Sequence, residues 1–310
     1  MINFLYCLDE NYNAQCATSI CSILSNTDDV LKFNLIHKNP SSFYKYKKLI
    51  DKKFTNRFEL EILKFNKNGL RFPNVENSHV SEATYYRLYI SEIINNPRNI
   101  YVYLDCDVIC INNPIYNLND EIKKLKKSQN VISASLEDIS NFKHLNNISF
   151  KSEKYFNAGV MIVDYQRWKE SNVPFKSMEI IEKYNKKLEF WDQDILNLIF
   201  ENKINNLSYG IVKNLDLSDK DNENNKLVED VDLLHYIGKT KPWNINGLIN
   251  TNSEIFQKYY RILEKEYLYI IHKKKTLSAK YLFKYFLSKN FFASNKKFKI
   301  IKALLISFIK

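Results

Sequence analysis

The chain has 310 residues, 45% hydrophobic and 26% charged, with 46 Lys+Arg against 35 Asp+Glu for a formal charge of +11. It is too apolar and aromatic for disorder, too long to need disulfide staples, and too poor in Gly and Pro for a collagen-like or loop-dominated chain. No Asp or Glu follows Glu266, and eleven lysines from Lys273 onward hold the whole excess, leaving 35 basic and 35 acidic residues before them.

Residues 3–8 form a short apolar run that ends in polar residues, and 14–24 read as a helix. Residues 33–36, 60–65 and 100–104 have strand character. Residues 81–94 have helical spacing, with Ser81 placed to cap them. Residues 131–136 and 159–163 are apolar enough for buried strands. Residues 164–188 predict a helix broken at Pro174, 192–200 a further short helix, and 231–235 a late strand. This alternation predicts an α/β domain with a mostly parallel sheet. The acidic, Asn-rich stretch 216–232 predicts an exposed loop.

Cys7, Cys16, Cys21, Cys106 and Cys110 are odd in number and include no CxxC pair, so they read as buried reduced thiols of a cytosolic protein. The N-terminus lacks the basic and long apolar regions of a signal peptide. No apolar run reaches the ~18–20 residues of a membrane span. The longest candidate, 300–309, falls well short and contains Lys302.

The sharpest local signal is Tyr101-Val102-Tyr103-Leu104-Asp105-Cys106-Asp107, an apolar strand running into two carboxylates. Ligands of open α/β sheets bind beyond the carboxyl ends of strands, and a Mg²⁺ or Mn²⁺ ion would relieve the repulsion between the carboxylates. By itself Asp-x-Asp also fits a polar strand-end turn. His235-Tyr236-Ile237-Gly238-Lys239-Thr240-Lys241-Pro242-Trp243 combines a metal-ligating imidazole, a glycine that admits a close approach and lysines that neutralise phosphate, or else is a simple strand end. Tyr155-Phe156-Asn157-Ala158-Gly159-Val160 offers an amide and open backbone to a polyhydroxylated ligand, or bends a strand at Gly159. Trp191-Asp192-Gln193-Asp194 opens a helix, where acidic residues suit the N-terminal dipole. Arg87 follows Thr84-Tyr85-Tyr86 and taken alone is a surface charge.

In this order and spacing the motifs, together with Asp9-Glu10-Asn11-Tyr12, resemble those of glycosyltransferase family eight, in particular its bacterial lipopolysaccharide and lipooligosaccharide galactosyl- and glucosyltransferases. The matching pieces span roughly the first 245 residues. The resemblance implies a GT-A fold, Rossmann-like, over residues 1–266, a UDP-hexose donor and a retaining mechanism. It implies that Asp105, Asp107 and His235 hold Mn²⁺, or Mg²⁺, and that Gly238 and Lys241 meet the diphosphate. It puts Asp9, Asn11 and Tyr12 at the uridine and Cys106 within the donor-binding Asp-x-Asp element. It puts Arg87, Asn157, Ala158, Asp192 and Gln193 at the donor hexose, the last two as catalytic candidates. An amide is a poor nucleophile, so attack from the face that UDP leaves is favoured. Relatives carry an Asp near the position of Glu137-Asp138, but the register leaves Glu137 without a role.

Residues 267–310 interleave lysines with Tyr281, Phe283, Phe286, Phe291, Phe298 and Ile300. Such a segment suits an anionic membrane surface. The full expectation is a peripheral enzyme on the cytoplasmic face of the inner membrane, acting on a lipid-linked oligosaccharide. A protein or other glycan as acceptor is the alternative. Nucleic-acid binding, the rival use of a basic tail, is set aside because the body supplies a sugar-transfer site, and a sugar-binding module without turnover is the third class.

Overall fold

An apolar run such as Phe4-Leu5-Tyr6-Cys7-Leu8 can be buried only where both faces of a strand are covered. In the structure, a computed structural model, it lies within β1 (Asn3–Leu8), inside the main sheet. The structure describes residues 1–66, 69–73, 81–95, 97–219, 230–244, 247, 250–268, 280, 283, 286–287, 298, 301 and 305. The chain divides into two compact units, Met1–Lys213 with Asp230–His235, and Asn214–Glu229 with Tyr236–Lys310.

The first unit opens with β1, α1 (Asn13–Ser25), β2 (Leu31–His37), α2 (Tyr44–Lys53) and β3 (Phe58–Lys64). A 3-10 helix, Glu82–Tyr89, continues into α3 (Ile90–Ile93). Then come β4 (Ile100–Leu104), β5 (Val108–Cys110), α4 (Ile115–Lys127), β6 (Ile132–Glu137), β7 (Tyr155–Asp164), α5 (Tyr165–Glu170), α6 (Val173–Tyr184), α7 (Trp191–Ile199) and β8 (Ile204–Asn206). The strands β9 (Val212–Leu215) and β10 (Leu233–Tyr236) follow, and the second unit contains α8 (Ser253–Glu264).

The main sheet has the order β3-β2-β1-β4-β7-β6-β8. It is parallel throughout except for β7, which runs antiparallel to β4 and β6. The mainly parallel α/β architecture expected from the sequence is therefore present. A smaller sheet has the order β5-β10-β9. All five cysteines are free and buried, as expected. Among the described residues no helix is long and apolar enough to cross a membrane.

Four local expectations change. Residues 81–94 are mostly 3-10 rather than α-helix, although Ser81 does cap them by accepting the Ala83 N–H. Tyr85 to Tyr89 are all buried, and the Arg87 side chain donates to the Ala158 carbonyl 71 positions away, so tertiary partners replace a regular amphipathic helix here. The break expected at Pro174 comes earlier, at Asn172 with φ 50°; Pro174 sits in the first turn of α6, where its missing N–H costs nothing. The strand expected over 159–163 is ten residues long, with Asn157-Ala158-Gly159 inside it. Most of 216–232 lies outside the described residues, but Asp232 is buried rather than exposed and accepts from Asn117 Nδ2 at 2.7 Å.

Candidate active site and metal centre

β1 and β4 are neighbours, yet after β1 the chain moves away to β2 and β3 before β4 begins the other half of the sheet. The crevice outside the carboxyl ends of two such strands is where open α/β sheets hold ligands. Asp9 to Tyr12 follow β1, and Asp105 to Asp107 follow β4. Because β7 is antiparallel to β4, the beginning of β7 reaches the same edge, and the Asp105 N–H donates to the Gly159 carbonyl at 2.8 Å. The antiparallel pair β5 and β10 sets His235 opposite Val108, one residue past Asp107.

Asp105, Asp107 and His235 each offer a ligand atom, and the three atoms lie within 4.8 Å of one another. His235 Nε2 is 3.3 Å from Asp107 Oδ1 and 3.9 Å from Asp105 Oδ2. Two carboxylates and an imidazole fit a divalent first-row ion, and the nitrogen donor suits Mn²⁺ better than Mg²⁺. Gly159 makes the arrangement possible, since a Cβ at that position would stand 2.2 Å from His235 Cε1.

Arg87 is not a surface charge. It is buried, with Nη2 3.0 Å from Asp105 Oδ1 and Nε 2.7 Å from Asp192 Oδ2. Nη1 donates to the Ala158 carbonyl at 2.5 Å, and the guanidinium lies 4.5 Å from the Tyr103 ring centre. Burial alone would lower its pKa, but Asp105 and Asp192 outweigh that and hold it above its usual value. Burial pushes the Asp192 carboxyl up to about 6, against the opposing effects of Arg87 and of Thr84, whose hydroxyl donates to Asp192. Asp105 and Asp192 thus share one guanidinium, and Asp107 beside His235 adds a third carboxylate to the cluster, an excess of negative charge that a divalent cation would neutralise.

Gln193 is held at both ends, with Oε1 accepting the Ala158 N–H at 3.1 Å and Nε2 donating to the Tyr155 hydroxyl at 3.2 Å. Asn157 donates to Glu137 at 3.1 Å and accepts the Gly159 N–H at 3.0 Å. Burial raises the Glu137 pKa, moderated by Asn157, His235 and Gln193. Asp9 is buried and caps the turn after β1 by accepting the Asn11 N–H at 2.9 Å, while Asn11 itself is exposed and Tyr12 half-buried. Tyr12 and Cys106 line one pocket with Cys7, Arg87, Asp105 and Asp107, and the Cys106 thiol is hydrogen-bonded with Cys16.

Gly238 and Lys241 belong to the second unit. Gly238 has φ +75°, and a Cβ there would stand 2.8 Å from the Asp216 carboxylate, so the turn itself requires glycine. Lys241 Nζ donates to the Tyr236 carbonyl at 2.5 Å.

Thr84, Tyr103, Glu137, His144, Tyr155 and Asp194, to which the motifs assign no role, also join the hydrogen-bond network of the site. A signal existed for Tyr103, two residues before Asp105 on an extended chain: its hydroxyl donates to Asp105 Oδ1 at 2.7 Å. None existed for His144, whose Nε2 lies 2.9 Å from Asp194 Oδ1 across fifty positions.

The model of the family described as "Glycosyl transferase family 8" matches residues 3–247. General stress protein A of Bacillus subtilis is 26% identical over 265 residues, covering 79% of this chain and 88% of that protein. The lipopolysaccharide 1,2-glucosyltransferase of Escherichia coli K12 is 26% identical, covering 84% and 77%. The lipopolysaccharide 1,3-galactosyltransferase of Salmonella typhimurium is 26% identical, covering 79% and 74%. Among solved structures, galactosyltransferase LgtC, crystallised with donor and acceptor sugar analogues, superposes with a TM-score of 0.70 at 22% identity, over 84% of this chain and 96% of that one. That likeness is one of fold, and it bears out the GT-A architecture expected from the sequence.

Proposed function

The chain belongs to glycosyl transferase family 8 and is a glycosyltransferase, and from that premise we propose that it moves galactose or glucose from a UDP-sugar to a saccharide acceptor with retention of anomeric configuration. The acceptor class we propose is the lipopolysaccharide or lipooligosaccharide core, supported by the names of relatives from Escherichia coli and Salmonella typhimurium. The observation that carries the reading is the Asp105, Asp107 and His235 cluster at the carboxyl edge where the sheet changes direction.

Mn²⁺, or Mg²⁺, bound by these three residues would supply Lewis-acid stabilisation of the departing UDP. The remaining roles fall to the chain. Asp9, Asn11 and Tyr12 receive the uridine, with the tyrosine ring offering a stacking face. Gly238 and Lys241 meet the diphosphate, the lysine as a point charge on the developing negative charge. Arg87 and Asp192, fixed against each other, hold the hexose hydroxyls with Asn157 and the Ala158 backbone. Gln193 lies beside the anomeric carbon and offers carbonyl oxygen to the positive charge that grows as the bond to UDP breaks. The acceptor hydroxyl attacks from the face UDP leaves, and its proton passes to the departing phosphate. Carboxamides are weak nucleophiles, which favours this route over a covalent adduct on Gln193.

The basic tail places the enzyme on anionic lipid at the cytoplasmic face of the inner membrane. Supporting this, Phe283, Leu287, Phe298 and Leu305 are exposed among the described tail residues. Most of the segment 267–310 lies outside the described residues.

Acceptor-free hydrolysis of a panel of UDP-sugars, with Mn²⁺ and with chelator, tests the function. Hydrolysis of UDP-galactose or UDP-glucose that stops on chelation is expected. Equal rates with and without metal would overturn the metal assignment, and absence of turnover with every nucleotide sugar would overturn the donor class.

A further inference from the structure

Asp194 is fully buried, and its two oxygens accept three hydrogen bonds: from His144 at 2.9 Å, from the Tyr155 hydroxyl at 2.6 Å and from the Phe190 N–H at 2.9 Å. An ionised carboxylate only accepts, so Tyr155 must give it the single phenolic proton. The Tyr155 oxygen can then only accept from Gln193, and the group facing it at 3.2 Å has to be the amide NH₂. At the other end the Ala158 N–H, 3.1 Å away, can only donate, so the group facing it has to be the carbonyl oxygen. Glu137, a further acceptor, is also hydrogen-bonded to the Gln193 side chain and again calls for the NH₂ end. A flipped amide would set N–H against N–H at Ala158 and carbonyl oxygen against phenol oxygen at Tyr155.

We infer that Tyr155 and Asp194 are positioning residues that fix which end of the Gln193 amide carries the oxygen during transfer. The inference rests on the reading of Gln193 as the amide beside the donor hexose. The chemical consequence is one of sign. A carbonyl oxygen stabilises positive charge growing on the sugar, whereas an NH₂ in its place opposes it. Asp194 acts at one remove, since its charge dictates where the Tyr155 proton goes. Asn197 holds the same segment in place, with Nδ2 donating to the Gln193 carbonyl at 2.9 Å and to the Phe156 carbonyl at 2.9 Å.

Three variants and a double variant test this: Tyr155→Phe, Asp194→Asn, Gln193→Ala, and Tyr155→Phe with Gln193→Ala. Two readouts are taken on the full chain. The first is kcat and KM for Mn²⁺-dependent hydrolysis of the UDP-hexose. The second is the ¹H–¹⁵N signal pair of the Gln193 side-chain amide, identified by its loss in Gln193→Ala. The expected result is a fall in kcat of roughly tenfold or more in Tyr155→Phe with KM little changed. No further fall is expected when Tyr155→Phe is added to Gln193→Ala, and the amide signals should move in both Tyr155→Phe and Asp194→Asn. Losses that multiply in the double variant would overturn the inference, because Tyr155 would then act independently of Gln193. Unmoved amide signals in both variants would also overturn it. Should Tyr155→Phe fail to fold, Asp194→Asn, which keeps the shape but can donate to Tyr155, carries the test. If the wild-type chain turns over no UDP-sugar while the amide signals still move, the functional reading falls and the fixed amide stands.

Discussion

The His235 imidazole lies against the backbone of Gly159, so near that a Cβ at residue 159 would stand 2.2 Å from Cε1 and 2.6 Å from Nε2. Gly159 is in the middle of β7, just beyond the residues paired with β4 and opposite a bulge on β6, and its carbonyl is tied to the Asp105 N–H at 2.8 Å. The ring must move instead. Gly159→Ala is therefore expected to leave the fold intact while displacing one candidate ligand, weakening Mn²⁺ binding roughly 10–100-fold. Calorimetric titration of Mn²⁺, alongside a melting curve, checks both halves, and unchanged affinity would mean that His235 is not a ligand.

The two carboxylates of the Asp-x-Asp element should differ when neutralised. Asp105 also accepts from Tyr103 and pairs with buried Arg87. Asp107→Asn is expected to reduce Mn²⁺-dependent turnover below roughly one-hundredth with little change in melting temperature. Asp105→Asn is expected to do the same and in addition to destabilise the protein by about 1–3 kcal/mol, as the charge-assisted bonds to Arg87 weaken. Retention of more than a few per cent of wild-type activity by either variant would sink the metal assignment.

Arg87→Met would leave buried Asp192 and half-buried Asp105 without their shared cation. Removing one partner of such a group costs ~3–5 kcal/mol. Arg87→Lys keeps the charge but not the fork that reaches both carboxylates and the Ala158 carbonyl, so partial loss of stability and a larger loss of donor binding are expected. Urea denaturation and UDP-sugar titrations measure the two effects.

His37 provides a pH prediction away from the site. Its Nδ1 accepts the Asn39 N–H at 2.8 Å, so its Nε2 carries the proton given to Asn13 Oδ1 at 2.7 Å. This neutral form is fully used, and burial lowers the pKa from 6.5 to about 4. Between these values the unfolded chain binds more protons than the folded one, so stability is full above 6.5 and is lost as pH falls towards 4. Melting temperatures across that window should fall in the wild type and fall less in His37→Gln, referenced to pH 7.5 for each protein. Equal slopes would remove His37 as the cause.

Membrane binding through the tail should appear as sedimentation of the full chain with vesicles containing anionic lipid and not with neutral ones. Each lysine near such a surface adds up to ~1 kcal/mol, so Lys296→Gln, Lys297→Gln and Lys299→Gln together should weaken binding by about two orders of magnitude. Binding that is indifferent to lipid charge would refute the electrostatic part of the proposal.

Local sequence determined what local forces control. The run into Asp105 is a strand because its apolar residues are contiguous and short, and Ser81 begins a helix because its hydroxyl can take an N–H two residues on. The charge boundary after Glu266 was likewise readable without any structure. The tertiary structure decided which groups meet. β7 reverses direction, and only for that reason do Asn157, Ala158 and Gly159 reach the edge where Asp105 follows β4. Arg87 looked like an exposed charge until its partners arrived, Asp105 from β4 and Asp192 from 105 positions further along. The Gln193 amide takes its orientation from Tyr155 and Ala158, strand neighbours of a different element. Such choices depend on sheet order and long-range closure, whose energies are spread over many strand pairs, and no short window of residues encodes them.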